Sequence, residues 1–258
     1  MEKATKSINL VLSGGGVRGM AHIGLIKALQ EQEIGISAIS GTSIGAIVGA
    51  LHGSGKNIDE MLDFFRTIPL FKYNFLTWSK PGLLDTERYY NMFKKGIPND
   101  DFSKLECKLY VIATNLEKGE PVIFDNGPLI RPVLASAALP PYFSPVKIDE
   151  TLFADGGIMN NFPIEPFKNG KLPIFGSNVT MLKDVAQKEL TSSLQLVQRT
   201  TGLMMYALNK EKPKNCDLLF QPFDLKNIGV LDKKQIDAAF EIGYENAVNV
   251  LKKWRSNA

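Results

Sequence analysis

The sequence predicts an α/β fold, in which buried strands lead through glycine turns into helices. Two such units stand near the start of the chain. The apolar run 8–13 (INLVLS) ends in the glycine-rich segment 14–19 (GGGVRG), and an apolar helical pattern follows. A second apolar run, 34–40, leads into the segment 41–45 (GTSIG), from which another apolar helix continues. Repeated strand–turn–helix units of this kind are typical of a mostly parallel sheet covered by helices.

The size and composition of the chain favour one globular domain over residues 1–258. Hydrophobic residues make up 44% and charged residues 22% of the sequence, which are ordinary values for a protein with a sizeable core. The net charge of +3 is too small to indicate nucleic-acid binding. Cys107 and Cys216 stand far apart without a C-x-x-C pattern, so we expect no metal site and no disulfide framework.

Targeting signals are not evident in the sequence. The first eight residues contain two lysines and a glutamate, and no signal-peptide apolar stretch follows them. No uninterrupted apolar segment approaches the ~18 residues that a membrane-spanning helix needs. We therefore expect a cytoplasmic protein whose membrane contact, where it occurs, is peripheral and at the inner membrane surface.

Residues 57–99 differ in character from the segments around them. Aromatic and aliphatic residues crowd together between lysines, and Pro69, Pro81 and Gly82 interrupt the run. The pattern predicts short helices that form a cap over one end of the sheet. Two interpretations remain open: an insertion that packs into the core, or an acyl-binding or membrane-facing lid.

The remaining elements follow from their periodicity. We predict a hairpin over 109–115 and 121–124 and a small alanine-rich helix over 130–139. Three further strands are predicted over 151–155, 172–179 and 217–221. Two amphipathic C-terminal helices are predicted over 188–209 and 233–254. The last helix is a candidate for either homodimer formation or packing within the chain. The sequence leaves the oligomeric state open.

Ser43 is the candidate nucleophile because G-x-S-x-G places a serine on a tight strand-to-helix turn with its hydroxyl exposed. Gly41 and Gly45 supply the small flanking positions of this turn. Neither histidine is well placed to act as its base. His52 lies nine residues further along one helix, or roughly 13 Å along its axis at 1.5 Å per residue. His22 could approach Ser43, but nothing in the sequence requires it.

Asp155 is the leading candidate for the base. It ends an apolar strand and precedes Gly156 and Gly157, which allow a close backbone approach and leave the carboxylate uncrowded. A carboxylate can accept a serine proton when it is close and when its surroundings raise its basicity. Asp-Gly-Gly alone is a common turn. It indicates a catalytic residue here only in combination with Ser43 and the glycine-rich segment.

The glycine-rich segment has two interpretations. Gly14, Gly16 and Gly19 fit the dinucleotide pattern G-x-G-x-x-G, but the second strand ends in Ser40-Gly41 without the acidic residue which that pattern needs. In the alternative, backbone N–H groups of this turn form an oxyanion hole. Gly15 and Gly16 are its main candidate donors. Arg18 adds positive charge nearby or pins the loop through a buried ion pair.

The ordered set of motifs resembles the patatin-like phospholipase family, especially its small bacterial members. It includes the glycine segment 14–19, the serine turn 41–45 and the Asp-Gly-Gly at 155–157. Shorter matches are Gly82-Leu83-Leu84-Asp85, 113–116 (ATNL), 135–138 (ASAA) and 160–163 (NNFP). Together they cover roughly residues 8–179, and the set in this order is far more specific than any single motif.

The resemblance implies a three-layer α/β/α sandwich with a helical cap, and a Ser43–Asp155 dyad that needs no histidine, metal or cofactor. It also implies an oxyanion hole from Gly14, Gly15 and Gly16. The implied activity is hydrolysis of lipid acyl esters through an acyl-enzyme. Three alternatives remain open: transfer of the acyl group to an alcohol, a catalytically silent lipid-binding protein, and, as the weakest, a nicotinamide enzyme.

Overall fold

A computed structural model describes residues 7–68, 76 and 81–256 of the chain. In this part of the chain, eight strands form one sheet, in the order β5-β6-β3-β2-β1-β7-β8 with β4 beside β3. The strands are β1 (Ser7–Leu12), β2 (Gly35–Thr42), β3 (Lys108–Asn115), β4 (Glu120–Phe124), β5 (Val146–Ile148), β6 (Thr151–Asp155), β7 (Ile174–Ser177) and β8 (Leu218–Phe220).

The sheet is mixed but mostly parallel. Strands β3, β2, β1, β7 and β8 run parallel to one another, whereas β4, β5 and β6 are antiparallel to their neighbours. The chain adds β2 and β3 on one side of β1 and then returns to add β7 and β8 on the other side. This reversal places a crevice at the carboxyl end of β1, where α/β proteins commonly bind their ligands.

Helices surround the sheet. They are α1 (Met20–Glu31), α2 (Ile44–Gly53), α3 (Ile58–Thr67), α4 (Tyr90–Gly96), α5 (Ile130–Ser136), α6 (Gly157–Asn160), α7 (Ser193–Asn209) and α8 (Ile236–Ser256), with short 3-10 helices between them. Among the described residues, no helix combines the length and the apolar character that crossing a bilayer requires.

The two faces of the sheet carry unequal layers. Successive side chains of a strand point to opposite faces. Accordingly, Leu10 and Leu12 of β1 belong to the large cluster that includes α1, α2, α5 and α8. Val11 points to the other face, into a smaller cluster with Phe162 and Phe167. The predicted α/β sheet between helical layers is therefore confirmed, with one layer much thicker than the other.

Most predicted elements occur where the sequence places them, and one strand was missed. Strand β5 spans only Val146–Ile148 and pairs with β6. Its sequence, Val-Lys-Ile, is too short for a period-two pattern to stand out. It exists because β6 offers it a pairing edge, which is a tertiary contact that local sequence does not reveal.

The predicted cap is described only in part. Its central residues 69–75 and 77–80, which include Phe71, Tyr73, Phe75 and Trp78, lie outside the described residues. In the part that is described, α3 begins with a capping box between Asn57 and Glu60. Its apolar side, with Met61 and Leu62, is buried in the large cluster.

Helix α8 packs along α1 within the chain, so the packing role considered for it is present. The two helices approach closely at small residues. A Cβ added to Gly243 would lie 2.3 Å from the Cα of Ala21, and a Cβ added to Gly24 would lie 2.4 Å from the carbonyl oxygen of Phe240. Such distances leave no room for any side chain.

We expect Gly243→Ala to destabilise the protein because the added methyl group would push α8 away from α1. Overpacking of this kind typically costs about 1–3 kcal/mol. The measurement is the free energy of unfolding in urea. Gly202→Ala is the matched control, since Gly202 also lies in a helix but has open space around its Cα. Equal stability of the two variants would contradict the close crossing.

Candidate active site

Ser43 occupies the tight turn between β2 and α2 that its motif predicts. Its backbone has φ 54° and ψ −120°, a left-handed conformation that is costly for a residue with a side chain. Glycines make the turn feasible: a Cβ on Gly45 would lie 2.4 Å from the carbonyl oxygen of Leu12, and one on Gly41 would lie 2.5 Å from the backbone of Gly45. The result is a serine held at the amino end of α2, where the helix dipole is positive.

Asp155 lies directly beside Ser43. The Ser43 hydroxyl donates a 2.7 Å hydrogen bond to Oδ2 of Asp155, and the N–H of Gly157 donates a 2.7 Å hydrogen bond to Oδ1. A Cβ on Gly156 would lie 2.2 Å from the carbonyl oxygen of Ile112, so this position needs a glycine. Both predicted residues, 112 positions apart in sequence, therefore meet in the fold.

The sheet itself brings these two residues together. One edge of β3 pairs with β4, and its other edge is shared by two strands. β2 runs parallel to β3 and ends with Thr42 opposite Ile112. β6 runs the opposite way and ends with Asp155 opposite Ala113. The carboxyl ends of β2 and β6 thus meet head to head at adjacent positions of β3.

Burial makes Asp155 a stronger base than an ordinary aspartate. The side chain is almost inaccessible to solvent, and loss of hydration raises its pKa from 3.8 to about 6. The hydrogen bonds from Ser43 and Gly157 act in the opposite direction because they favour the charged form, but they are the weaker influence. Asp155 is therefore ionised at neutral pH, yet basic enough to accept a proton.

The glycine-rich segment passes over Ser43. A Cβ on Gly14 would lie only 3.3 Å from the Cβ of Ser43. Gly15 and Gly16 adopt φ values of 154° and 58°, which favour glycine. The N–H of Gly14 donates to the carbonyl oxygen of Asn161. Those of Gly15 and Gly16 have no acceptor in the described part of the chain, and both residues line the same cavity as Ser43.

Arg18 holds the glycine segment, although not through the predicted ion pair. Its guanidinium donates hydrogen bonds to the carbonyl oxygens of Ile228 and Met181. No carboxylate pairs with it among the described residues, and burial lowers its pKa. The pinning role is thus present, with backbone oxygens in place of an acid, because two loops from the C-terminal part of the chain converge on this side chain.

His22 is a buried structural residue. Its Nε2 donates to the carbonyl oxygen of Ser13 at 2.9 Å, so its Nδ1 accepts from the hydroxyl of Ser177 at 2.8 Å. Burial lowers its pKa to about 4, which keeps the ring neutral. With both nitrogens engaged, His22 has no free position from which to accept a proton from Ser43.

Ser136 is a contributor whose role the sequence did not reveal. Its buried hydroxyl accepts a 2.8 Å hydrogen bond from the backbone N–H of Ser43. Its carbonyl oxygen accepts from the N–H of Gly156, and the carbonyl of Ala138 accepts from the N–H of Asp155. The end of α5 therefore touches both halves of the pair. The only sequence signal was its place in the ASAA segment, which carries no indication of this role.

Asn161 and Thr180 support the glycine segment in a similar way. The side chain of Asn161 donates to the hydroxyl of Thr180, which in turn donates to the carbonyl oxygen of Gly14. These contacts join the segment after β6 to the segment after β7. They fix the backbone from which the N–H groups of Gly15 and Gly16 project.

A cavity of about 630 Å³ opens onto Ser43 and Asp155. Its walls are mostly apolar and come from both sides of the site. They include Phe65, Ile68, Tyr89 and Phe93 from the described part of the cap, Ile47 from α2 and Leu134 from α5. Met181, Leu182, Val197, Gly202 and Met205 come from the C-terminal part of the chain. The size and the apolar lining suit a long hydrocarbon group bound beside a few polar atoms. In the described residues, no cluster of His, Cys, Asp or Glu is placed to hold a metal ion.

Comparison with known proteins shows the family of the chain. A family model described as patatin-like phospholipase matches residues 10–168, which is more than half of the chain. The chain belongs to the patatin-like phospholipase family. The predicted family resemblance is therefore confirmed.

Two groups of relatives illustrate the match. An uncharacterized NTE family protein of Mycobacterium bovis is 33% identical over 162 residues, which cover 62% of this chain and 45% of that protein. Lysophospholipase nte1 of Aspergillus fumigatus is 25% identical over 283 residues, which cover 97% of this chain and 18% of that protein. The chain thus spans less than half the length of these curated relatives.

The fold is shared with a solved structure. The crystal structure of VipD from Legionella pneumophila superposes with a TM-score of 0.61 at 16% sequence identity, and the match covers 96% of this chain and 67% of that one. At this identity the likeness concerns the fold alone, and it supports the α/β architecture described above.

We expect Ser136→Ala to lower kcat about 10- to 100-fold, with little change in KM. The substitution leaves the Ser43 N–H buried without an acceptor, which costs about 1–3 kcal/mol, and it releases the strained turn. The measurement is steady-state hydrolysis of a soluble ester together with thermal melting. Ser40→Ala is the matched control, because the Ser40 hydroxyl is buried without a partner among the described atoms. Equal kinetics for both variants would contradict a positioning role for Ser136.

We expect the raised pKa of Asp155 to produce two opposite effects of pH. Activity should fall as pH drops below about 6, because the carboxylate becomes protonated. Stability should change in the other direction. Between pH 4 and 6 the folded protein retains a proton that the unfolded chain releases, so stability falls as pH rises through this window.

Asp155→Asn should therefore be more stable than the native protein at pH 8, by up to about 3 kcal/mol, while losing activity. The stability difference should disappear below about pH 3, where Asp155 is protonated in both the folded and the unfolded state. Urea unfolding of the two proteins at both pH values measures this. A native protein that is the more stable of the two at pH 8 would argue against a desolvated carboxylate.

Proposed function

We propose that this protein is a serine hydrolase of lipid acyl esters that uses Ser43 as nucleophile and Asp155 as its base. The single observation that carries the proposal is the 2.7 Å hydrogen bond between the Ser43 hydroxyl and a buried carboxylate with a raised pKa. The membership of a phospholipase family and the apolar cavity at the same place support it.

The proposed mechanism begins when an ester enters the cavity with its carbonyl carbon above Ser43. Asp155 accepts the hydroxyl proton through Oδ2 as Ser43 Oγ attacks the carbonyl carbon. The resulting oxyanion accepts hydrogen bonds from the N–H groups of Gly15 and Gly16, which are unpaired in the described structure. Because the N–H of Gly14 already donates to Asn161, Gly14 contributes by its small size and close approach.

Collapse of this intermediate breaks the bond to the leaving alcohol. The proton held by Asp155 passes to the leaving oxygen, and the acyl group remains on Ser43 as an ester. Asp155 then accepts a proton from water while the water oxygen attacks the acyl carbon. Release of the fatty acid returns that proton to Ser43 and restores both residues to their starting states.

In the proposed mechanism, an aspartate takes the place that a histidine has in many serine hydrolases. An exposed aspartate, with a pKa near 3.9, would be too weak a base to accept the proton of a serine. Burial raises the basicity of Asp155, and the hydrogen bond from Gly157 fixes the orientation of its carboxylate. His22 takes no part, because both of its ring nitrogens are already bonded.

The apolar walls favour acyl chains over small acids. Phe65 and Phe93 of the cap and Ile47 of α2 all line the cavity, so a long chain bound there can contact them. Each methylene group that leaves water contributes about 0.8 kcal/mol to binding. We therefore propose long-chain lipid esters, including lysophospholipids, as the substrate class.

We expect an alkyl fluorophosphonate to label Ser43 covalently, with the site identified by peptide mass spectrometry. Ser43→Ala should abolish labelling and lower ester hydrolysis at least ~10³-fold with its melting temperature unchanged. Asp155→Asn should also prevent labelling while the protein remains folded. Full hydrolysis by Ser43→Ala, or normal labelling of Asp155→Asn, would overturn the proposed mechanism.

A further inference from the structure

The outer side of α7 is unusually apolar for a surface helix. Five large apolar side chains are exposed among the described side chains of this helix: Leu196, Val197, Leu203, Met204 and Leu208. Met204 is the most exposed of them, at 67%. At 3.6 residues per turn, their spacing places all five within an arc of about 140° on one side of the helix. We call Leu196, Leu203, Met204 and Leu208 the outer stripe, since Val197 also lines the cavity.

The other side of the same helix forms a wall of the candidate active site. Gln198, Thr201, Gly202 and Met205 line the cavity that contains Ser43. Helix α7 therefore presents a mixed set of side chains to the cavity and carries most of its exposed apolar side chains elsewhere on its surface. A stripe of this kind on a helix that also lines a cavity is an uncommon feature of a surface that faces only water, and it is typical of interaction sites.

The charge of this region is complementary to an anionic surface. Within α7 itself, the only charged residue is Arg199. Residues 182–214, which contain the helix and its flanks, have six Lys and Arg against three Asp and Glu. Three of these lysines form ion pairs: Lys183 with Glu189, Lys212 with Glu165 and Lys214 with Glu211. Lys188, Arg199 and Lys210 form no salt bridge among the described residues and supply the positive charge. Arg199 lines the cavity and has no carboxylate partner in the described residues.

We propose that α7 docks onto an anionic lipid surface, with the outer stripe inserted among the acyl chains and the flanking lysines near the headgroups. This inference rests on the proposed function, because docking would bring the cavity next to the lipid surface from which a lipid ester enters it. The apolar stripe provides burial, and the net positive charge favours anionic headgroups. A membrane-facing lid was one of the two interpretations of residues 57–99, whereas this proposal places the membrane contact on α7.

The test measures vesicle binding without relying on hydrolysis. The 258-residue chain carrying Ser43→Ala is sedimented with vesicles of phosphatidylcholine alone and with vesicles of equal parts phosphatidylglycerol and phosphatidylcholine. We expect tighter binding to the anionic vesicles and weaker binding as salt rises. Adding Met204→Glu or Leu208→Glu should weaken binding at least 10-fold. Val248→Glu is the matched control, since Val248 is an exposed apolar residue of another helix, α8.

A second measurement separates docking from folding and from catalysis. In the chain with native Ser43, Met204→Glu should leave thermal melting and hydrolysis of a short water-soluble ester unchanged, while hydrolysis of vesicle lipid falls. Failure of the proposed function would instead appear as absent fluorophosphonate labelling, with vesicle binding intact.

Three results would overturn the docking proposal. One is the absence of vesicle binding by the Ser43→Ala chain, and another is equal binding by Met204→Glu and Val248→Glu. The third is a dimer in light scattering that Met204→Glu dissociates in the absence of lipid, because the stripe would then be covered by a second copy of the chain.

Discussion

The candidate site depends on how one edge of β3 is divided between two strands. β2 covers the first half of that edge and β6 covers the second, and the two run toward each other. Their last residues pair with Ile112 and Ala113, so the residues at their carboxyl ends must be neighbours. This register places a serine against a carboxylate without the long loops that usually carry catalytic groups, and backbone hydrogen bonds within the sheet hold the pair.

Three sets of contacts support the place where the ends of β2 and β6 meet. The end of α5 binds the backbone on both sides of it, through Ser136 and Ala138. The glycine segment covers it, held by Arg18 and Asn161. Close packing at Gly45 and Gly156 lets these elements approach without side chains between them. The strained backbone of Ser43 and the desolvation of Asp155 both cost stability. The surrounding hydrogen bonds and close contacts hold both residues in place despite that cost.

The cavity is lined by two helical regions that pack to different extents against the rest of the protein. Helix α3 buries its apolar side in the main cluster, and α4 packs beside it through Phe93 against Phe64. Helix α7, by contrast, has most of its side chains exposed, and its main packing partner is the short helix α6. A firmly packed wall suits the proposed binding pocket for an acyl chain. A wall with an apolar outer side suits the proposed contact with a lipid surface.

The sequence by itself determined the local features of this protein: the strand-to-helix turn at Ser43, the glycine segment, and the strand ending at Asp155. These depend on interactions between near neighbours in the chain, and therefore leave a pattern in it. Only the tertiary structure decided that Ser43 meets Asp155, that Ser136 binds the turn, and that Arg18 binds carbonyl oxygens. It also decided which side of α7 remains exposed. Those outcomes depend on strand register and on packing between distant segments, which local periodicity does not encode.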